Sequence, residues 1–260
     1  MIASSPSTPE MSPGMVYRSP IEVLIPDAVF ALHRALSIDR EDKKSHEDIE
    51  ETSFLSRASI LSCAHTVEAI ANCCLERGVK VPGRLLRKVS RWPTREKIDF
   101  YLHEVGKPQL DWGQLFAQRI SDLIDLRNNY VHPGFTPQGA TVVVAGGANM
   151  IEPDLRGPEF NFLKIPKDPR AWKPAHGVIV LRALTDFLDQ LFIDTCALDS
   201  NGVARLICDR IDSASMNGVF AGALYDACYR MKANWGLEPR CMQSLYAEMV
   251  SRGVRFESGQ

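Results

Sequence analysis

The chain has 260 residues, of which 45% are hydrophobic and 24% are charged, so it contains enough apolar material for one large or two small globular domains. Its formal net charge of -2 excludes a protein that coats nucleic acid by bulk charge, and any contact with a polyanion must therefore be local. Seven cysteines without a CxxC pair favour reduced thiols over a disulfide framework or a zinc site.

The first 20 residues are rich in serine and proline and predict a disordered tail. They lack the basic start and apolar core of a secretory signal, and no run in the chain approaches the ~18 apolar residues of a membrane span. We therefore expect a cytoplasmic protein without membrane contact. Residues 22 to 36 are compatible with a short strand or with an opening helix, for which Asp27 would be the N-cap.

A strong helix is predicted over about residues 50 to 77, closed by Gly78 as a left-handed cap. Glu68 belongs to a stripe on this helix whose other members recur at seven-residue steps: Phe54, Leu61 and Leu75. His65 and Asn72 flank Glu68 at helical spacing. A carboxylate in that position needs a partner. Glu68 is either a satisfied core carboxylate at the edge of the stripe or the group that positions an arginine.

Residues 84 to 97 contain six basic side chains and one acid, with Trp92 among them. Such a run is usually a solvated face, but basic residues interleaved with an aromatic also suit contact with a single strand of nucleic acid. Four of these basic residues are the predicted RNA contacts: Arg84, Arg87, Lys88 and Arg91.

A helix is predicted from about 95 to 104 with Thr94 as its cap, and a second helix opens at Asp111 with Gln114 three residues later. The second helix carries Arg127 on its apolar face, which otherwise consists of Phe116, Ile120, Leu123 and Ile124. A guanidinium aimed inward there is either part of a structural ion pair or a phosphate site.

Glycine and proline become frequent between about 134 and 175, where 141 to 145 is a predicted strand and 160 to 165 its candidate partner. We interpret this region as a small β-containing insertion. The helical pattern resumes over about 177 to 196 and buries five apolar residues: Val180, Leu181, Leu184, Leu188 and Leu191. Residues 200 to 260 are predicted to form a C-terminal helical extension.

Arg127 is followed directly by Asn128 and, after four intervening residues, by His132. This stretch resembles the R-x4-6-H motif of the HEPN family, whose members are small helical bundles with a polar residue after the arginine. The resemblance covers about residues 50 to 197, and its only specific part is the motif helix. It implies a mainly α protein, with a HEPN-like helical bundle over 21 to 199 that contains the insertion and precedes the C-terminal extension.

The resemblance implies metal-independent RNA cleavage, in which a 2'-hydroxyl attacks the adjacent phosphate and leaves a 2',3'-cyclic phosphate and a 5'-hydroxyl. His132 suits a general base or acid, because the ordinary pKa of histidine is about 6.5. Arg127 would hold the phosphate and stabilise its developing charge. Asn128 would orient the imidazole or donate to a phosphate oxygen, with Glu68 and His65 in support. No metal or cofactor is expected.

Cleavage of this kind needs a base and an acid, whereas each chain offers one motif histidine. The resemblance suggests a homodimer packed through the motif helix, because HEPN proteins commonly dimerise with their motifs facing each other. RNA is the expected substrate, and a toxin or phage-defence system with a protein antitoxin or regulator is the expected setting. The main alternative is a non-catalytic HEPN-like module that binds RNA, nucleotide or a protein. A third interpretation is a purely structural protein in which Arg127 is locked to Glu68.

Overall fold

The fold is built mainly from helices, as predicted. The computed structural model describes residues 15–80, 82–131, 140–145, 148–153, 157–212, 217–220 and 222–243. The helices in these residues are α1 (Ile21–Asp39), α2 (His46–Gly78), α3 (Gly83–Val89), α4 (Thr94–Glu104), α5 (Leu115–Val131), α6 (Pro174–Leu188), α7 (Ser200–Ile207) and α8 (Gly222–Trp235). The strands are β1 (Met15–Tyr17), β2 (Ala140–Ala145), β3 (Ala148–Pro153), β4 (Asp209–Asp212) and β5 (Asn217–Phe220).

Helix α2 is the centre of the structure and packs against α1, α4, α5, α6 and α7. It begins with a capping box, in which the Ser45 hydroxyl accepts the Asp48 N–H at 3.1 Å and the Asp48 carboxylate accepts the Ser45 N–H at 2.8 Å. The helix is long and apolar enough to cross a membrane, but 67% of the relevant window is buried inside the protein. A buried core helix passes the same test, so its packing accounts for its composition.

The face of α2 that enters the core differs in part from the predicted stripe. Leu75 is fully buried, but Phe54 is 62% exposed and Leu61 is only half-buried. Gly78 is the last helical residue and its φ is not positive, so the prediction of a left-handed cap there is wrong. A Cβ atom at Gly78 would lie 2.5 Å from a ring carbon of Tyr101, so this glycine allows α2 to approach α4 closely.

Residues 22 to 36 belong to α1, and Asp27 is an exposed residue inside this helix rather than its N-cap. The helix starts after Pro20, seven residues before Asp27. Helix α6 continues as a π-helix over Asp189–Thr195. The predicted pattern is confirmed, since its five apolar residues, four on α6 and Leu191 on the π-helix, are fully buried. All seven cysteines are free thiols.

The predicted β-containing insertion has a strand pairing that differs from the expected one. Strand β2 pairs with β3 in antiparallel fashion, so the prediction of a strand partner at 160 to 165 is wrong. These residues form a turn whose apolar side chains enter the main core, where Phe160, Leu163 and Ile165 are buried. Residues 132–139, 146–147 and 154–156 lie outside the described part of the chain.

The described C-terminal part, residues 200–243 with gaps at 213–216 and 221, shares the apolar core of the bundle. Val203, Ile207, Leu224 and Met231 all belong to the same buried apolar cluster as α2 and α6. It is also not purely helical, because β4 and β5 pair with β1 in a three-stranded sheet of order β1-β4-β5. Residues 244–260 lie outside the description.

The N-terminal strand is fixed by residues that lie far along the chain. Asp209 accepts hydrogen bonds from the Arg18 guanidinium at 2.7 Å and from the Ser19 N–H at 2.6 Å. The predicted disordered tail therefore ends before residue 20, because residues 15–17 pair with β4 and the next two bond Asp209. Its first 14 residues lie outside the described ranges.

Glu22 lies beside this junction and has an unusual pKa. Its carboxylate accepts the Asp209 N–H at 3.3 Å, while Arg77 donates to the carbonyls of Cys208 at 2.6 Å and Arg18 at 2.9 Å. Burial raises the pKa of Glu22 from 4.5 to about 7, and the neighbouring Asp209 charge adds to this effect. The folded protein therefore retains a proton that the unfolded chain releases at lower pH.

We predict that Glu22→Gln stabilises the protein at alkaline pH. The unfolded chain loses the Glu22 proton near pH 4.5 and the folded chain near pH 7, so the wild type loses stability as the pH rises through this window. The variant should gain about 1 kcal/mol at pH 8, after discounting for partial exposure, and nothing at pH 4. Urea unfolding at both pH values measures this difference. Glu41→Gln, at an exposed loop position, is the control, and a gain of equal size at both pH values would contradict the assignment.

Candidate functional site

The polar residues of α2 contact two other helices. Glu68 and Asn72 lie one turn apart on α2, and both are half-buried. Glu68 contacts Arg127 of α5 and Lys97 of α4, and Asn72 contacts the same lysine. We refer to Glu68, Asn72, Lys97 and Arg127 as the Glu68 cluster.

Arg127 is held at both ends of its guanidinium. Nη2 forms an ion pair with Glu68, and Nη1 donates to the side-chain oxygen of Asn128 at 3.0 Å. The side chain remains 27% exposed, while its Nε atom is buried and has no hydrogen-bond partner in the described residues. Arg127 therefore combines the two interpretations of the sequence, because it forms an ion pair and is still accessible from solvent.

Lys97 is a member of the cluster that the sequence did not predict. Its side chain is only 3% exposed, and Nζ donates to Asn72 at 2.9 Å and lies 3.7 Å from Glu68. Burial lowers the pKa of Lys97, while the Glu68 carboxylate opposes this shift. The signal in the sequence was that Lys97 lies next to Ile98 and one helical turn before Tyr101, both buried, which puts it on the inner face of α4.

The charges of the Glu68 cluster do not cancel. Two cations, Lys97 and Arg127, share a single carboxylate, Glu68. The cluster therefore carries one net positive charge in a partly buried setting, where charges are screened less than in water. An anion that approaches the exposed part of Arg127 would be attracted. A phosphate diester has the charge and the acceptor oxygens that a guanidinium binds best.

The other predicted catalytic residues are only partly placed. His132 lies outside the described residues and directly follows Val131, the last residue of α5. Asn128 is exposed and bonded to Arg127. His65 is half-buried on α2 and has no hydrogen bond or ion pair to Arg127 or Glu68. No contact in the described part of the chain therefore supports the predicted role of His65.

The predicted RNA-binding residues lie on α3 and just after it. All four side chains are exposed, and the described residues offer them no ion-pair partner: Arg84, Arg87, Lys88 and Arg91. The other two basic residues of the run are engaged elsewhere, since Lys97 is buried and Arg95 lies over the Trp112 ring at 5.3 Å. Trp92 packs edge-on against Phe100 with a centroid distance of 5.6 Å.

The basic residues of α3 are close to the Glu68 cluster along the chain. Arg91 precedes Lys97 by six residues, so their Cα atoms are separated by at most about 20 Å. A strand of a few nucleotides would span this distance. The four exposed cations therefore form a local concentration of positive charge for a polyanion, although the net charge of the protein is negative.

A polar groove lies beside Arg127 and was not predicted from the sequence. Its volume is about 270 Å³. The wall on α5 consists of Asp122, Asp125, Asn128 and Asn129. The opposite wall belongs to the loop of residues 157–168 and consists of Phe160, Asn161 and Lys167. One feature of the sequence pointed to this groove. Asp122 is a charged residue next to Leu123, on the buried face of the predicted helix.

In the described residues, no group of three or more His, Cys, Asp or Glu side chains is arranged to hold a metal ion. Comparison with protein-family models, curated proteins and solved structures finds no match for this chain.

Proposed function

We propose that this protein is a metal-independent endoribonuclease of the HEPN type that acts through Arg127 and His132. The observation that supports this proposal is the state of Arg127. Glu68 and Asn128 hold its guanidinium, a second cation reinforces the positive charge, and part of the side chain is exposed. A purely structural ion pair requires neither the exposure nor the extra cation.

Each residue then has a role in a balanced reaction. The 2'-oxygen attacks the phosphorus as one His132 of the proposed dimer accepts the proton of the 2'-hydroxyl, and the bond from phosphorus to the 5'-oxygen breaks as the second His132 donates a proton to that leaving oxygen. Arg127 stabilises the charge that builds on the phosphate oxygens. The side-chain oxygen of Asn128 accepts a hydrogen bond from Arg127, so the amide NH2 group of Asn128 is available to donate to a phosphate oxygen. Glu68 positions Arg127.

Our proposal includes a homodimer through α5, which would bring two histidines to one cleft. Three apolar side chains on this helix are exposed in the single chain: Leu115 near its start, and Tyr130 and Val131 at its end. Exposed apolar residues next to a motif favour an interface there. The cytoplasmic location, the toxin or phage-defence setting and a protein regulator remain predictions from the sequence.

A non-catalytic module that binds RNA, nucleotide or a protein is the second candidate. The ion pair between Arg127 and Glu68 favours it, because this contact reduces the charge that Arg127 can offer to a phosphate. Such a module would bind RNA through Arg84, Arg87, Lys88 and Arg91 without cleaving it.

Cleavage of a mixed-sequence RNA in EDTA tests the proposal. The wild type should produce 2',3'-cyclic phosphate and 5'-hydroxyl ends, and it should sediment as a dimer. The double variant Arg127→Ala/His132→Ala, purified in the same way, should leave the RNA intact, which excludes a contaminating ribonuclease. If the folded wild-type dimer binds RNA and leaves it uncut, the protein is a binding module.

A further inference from the structure

The groove beside Arg127 has preformed walls. Its loop side is closed by backbone hydrogen bonds, from Phe160 N–H to the Ile165 carbonyl at 2.9 Å and from Lys167 N–H to the Pro158 carbonyl at 2.9 Å. The loop is also fixed to α5, because Asp122 accepts the N–H groups of Phe162 at 2.6 Å and Leu163 at 3.0 Å. A ligand would therefore meet a rigid site and would not need to order it.

The polar groups that remain for a ligand are well defined. Asp122 is already engaged by backbone N–H groups, whereas Asp125 is exposed and has no hydrogen-bond or ion-pair partner among the residues described. Lys167 lies with its ammonium 5.6 Å from the centre of the Phe160 ring. Asn129 and Asn161 add amides on the two walls. The groove thus offers a free carboxylate, an ammonium and amide groups that both donate and accept.

These charges indicate what the groove does not bind. Asp122 and Asp125 oppose the single positive charge of Lys167, so the lining has one net negative charge. A phosphate would be repelled, in contrast to the Glu68 cluster, where the net charge is positive. The groove suits a neutral group with several hydrogen-bond donors and acceptors. Its volume of about 270 Å³ is near the lower end for small-molecule sites and is sufficient for one base of a nucleic acid.

Asn128 connects the groove to the proposed catalytic arginine. It lines the groove and accepts a hydrogen bond from Arg127 at 3.0 Å. A phosphate on Arg127 and a base in the groove are therefore separated by a single side chain. A base and the phosphate next to it are neighbours in one RNA strand, whose unstacked bases are read by contacts of this kind.

We propose that the groove binds a guanine base next to the cleaved phosphate, an inference that rests on the proposed ribonuclease activity. Guanine presents two neighbouring donors, N1–H and the 2-amino group, which match the two oxygens of the free Asp125 carboxylate. Its other edge presents two acceptors, O6 and N7, which lysine binds well. Lys167 supplies this donor from the opposite wall. Adenine and cytosine each offer one amino group without the neighbouring N–H, and uracil offers no amino group.

Nucleoside binding tests this inference separately from cleavage. Guanosine is titrated into the protein and followed by NMR, with inosine as the matched ligand, since inosine differs only by the missing 2-amino group. Guanosine should bind about tenfold more tightly than inosine, adenosine, cytidine or uridine. Asp125→Asn should abolish the preference for guanosine over inosine, and Lys167→Met should weaken the binding of both nucleosides. Asp42→Asn and Lys43→Met, which are exposed elsewhere, are the matched controls.

The outcomes separate the groove from the nuclease. Guanosine selectivity in a protein that cuts no RNA would support the groove and overturn the nuclease. RNA cleavage by a protein that binds all five nucleosides equally would overturn the guanine site and leave the proposed nuclease activity standing. Unchanged selectivity in a folded Asp125→Asn variant would also overturn it, as would the absence of all nucleoside binding.

Discussion

Arg127→Ala is expected to reduce RNA cleavage by about a hundredfold to a thousandfold, because the guanidinium is the main group available to stabilise charge on the phosphate. The fold should tolerate the change. Glu68 keeps a cation at 3.7 Å, since Lys97 remains beside it, so the free energy of unfolding should fall by only about 1 kcal/mol. Initial rates on a single RNA substrate, together with urea unfolding, measure both effects.

Two further variants sharpen this prediction. His132→Ala should reduce cleavage by about a hundredfold to ten-thousandfold if the imidazole transfers the proton. Arg230→Ala removes an arginine from an exposed ion pair with Asp226 on α8 and should change neither rate nor stability. A folded Arg127→Ala variant that cleaves within threefold of the wild-type rate would exclude Arg127 from the chemistry.

Asp122→Ala is expected to lower the free energy of unfolding by about 2–4 kcal/mol, because two backbone N–H groups lose their acceptor at once. Asp122 is buried and accepts from Phe162 at 2.6 Å and Leu163 at 3.0 Å. Asp122→Asn should cost less, since its amide oxygen still accepts. Urea denaturation at constant pH gives the difference.

The matched control for this prediction is on the same helix. Asp125→Ala removes an exposed carboxylate that has no partner in the described structure, so it should change the stability by less than about 0.5 kcal/mol. If Asp122→Ala and Asp125→Ala lower the stability equally, the two hydrogen bonds do not fix the loop to α5.

Local patterns in the sequence were sufficient to predict α2 and α6 as helices, whereas the region of α1 remained open between a strand and a helix. The apolar periodicity of α6 placed Leu181, Leu184 and Leu188 correctly in the core, because such a face has to be buried wherever the helix packs. The stripe on α2 was less informative. It correctly marked Glu68 as a carboxylate that needs a cation, but it placed Phe54 in the core, whereas the buried side chains on that part of α2 are Thr52 and Ser56.

The sequence-based predictions were wrong where contacts with residues distant in the chain determine the local structure. The apolar stretch at 160 to 165 had the pattern of a strand, but a carboxylate 40 residues earlier takes its N–H groups and stabilises a turn. Lys97 belongs to a basic run that was expected to be exposed, but its ammonium is buried because it contacts Asn72 and Glu68 on another helix. No local pattern contains this information.

The contact between Arg18 and Asp209 joins residues 191 positions apart. Strand β1 therefore leaves the ribosome long before its partner β4 is synthesised, and α1 and α2 lack the cover that α7 and α8 provide. Contacts of such high sequence separation slow folding, and an incomplete chain exposes its apolar core. Completion of the described fold thus requires the synthesis of α7, β4 and α8, and until then the apolar faces of α1 and α2 that these elements cover are exposed.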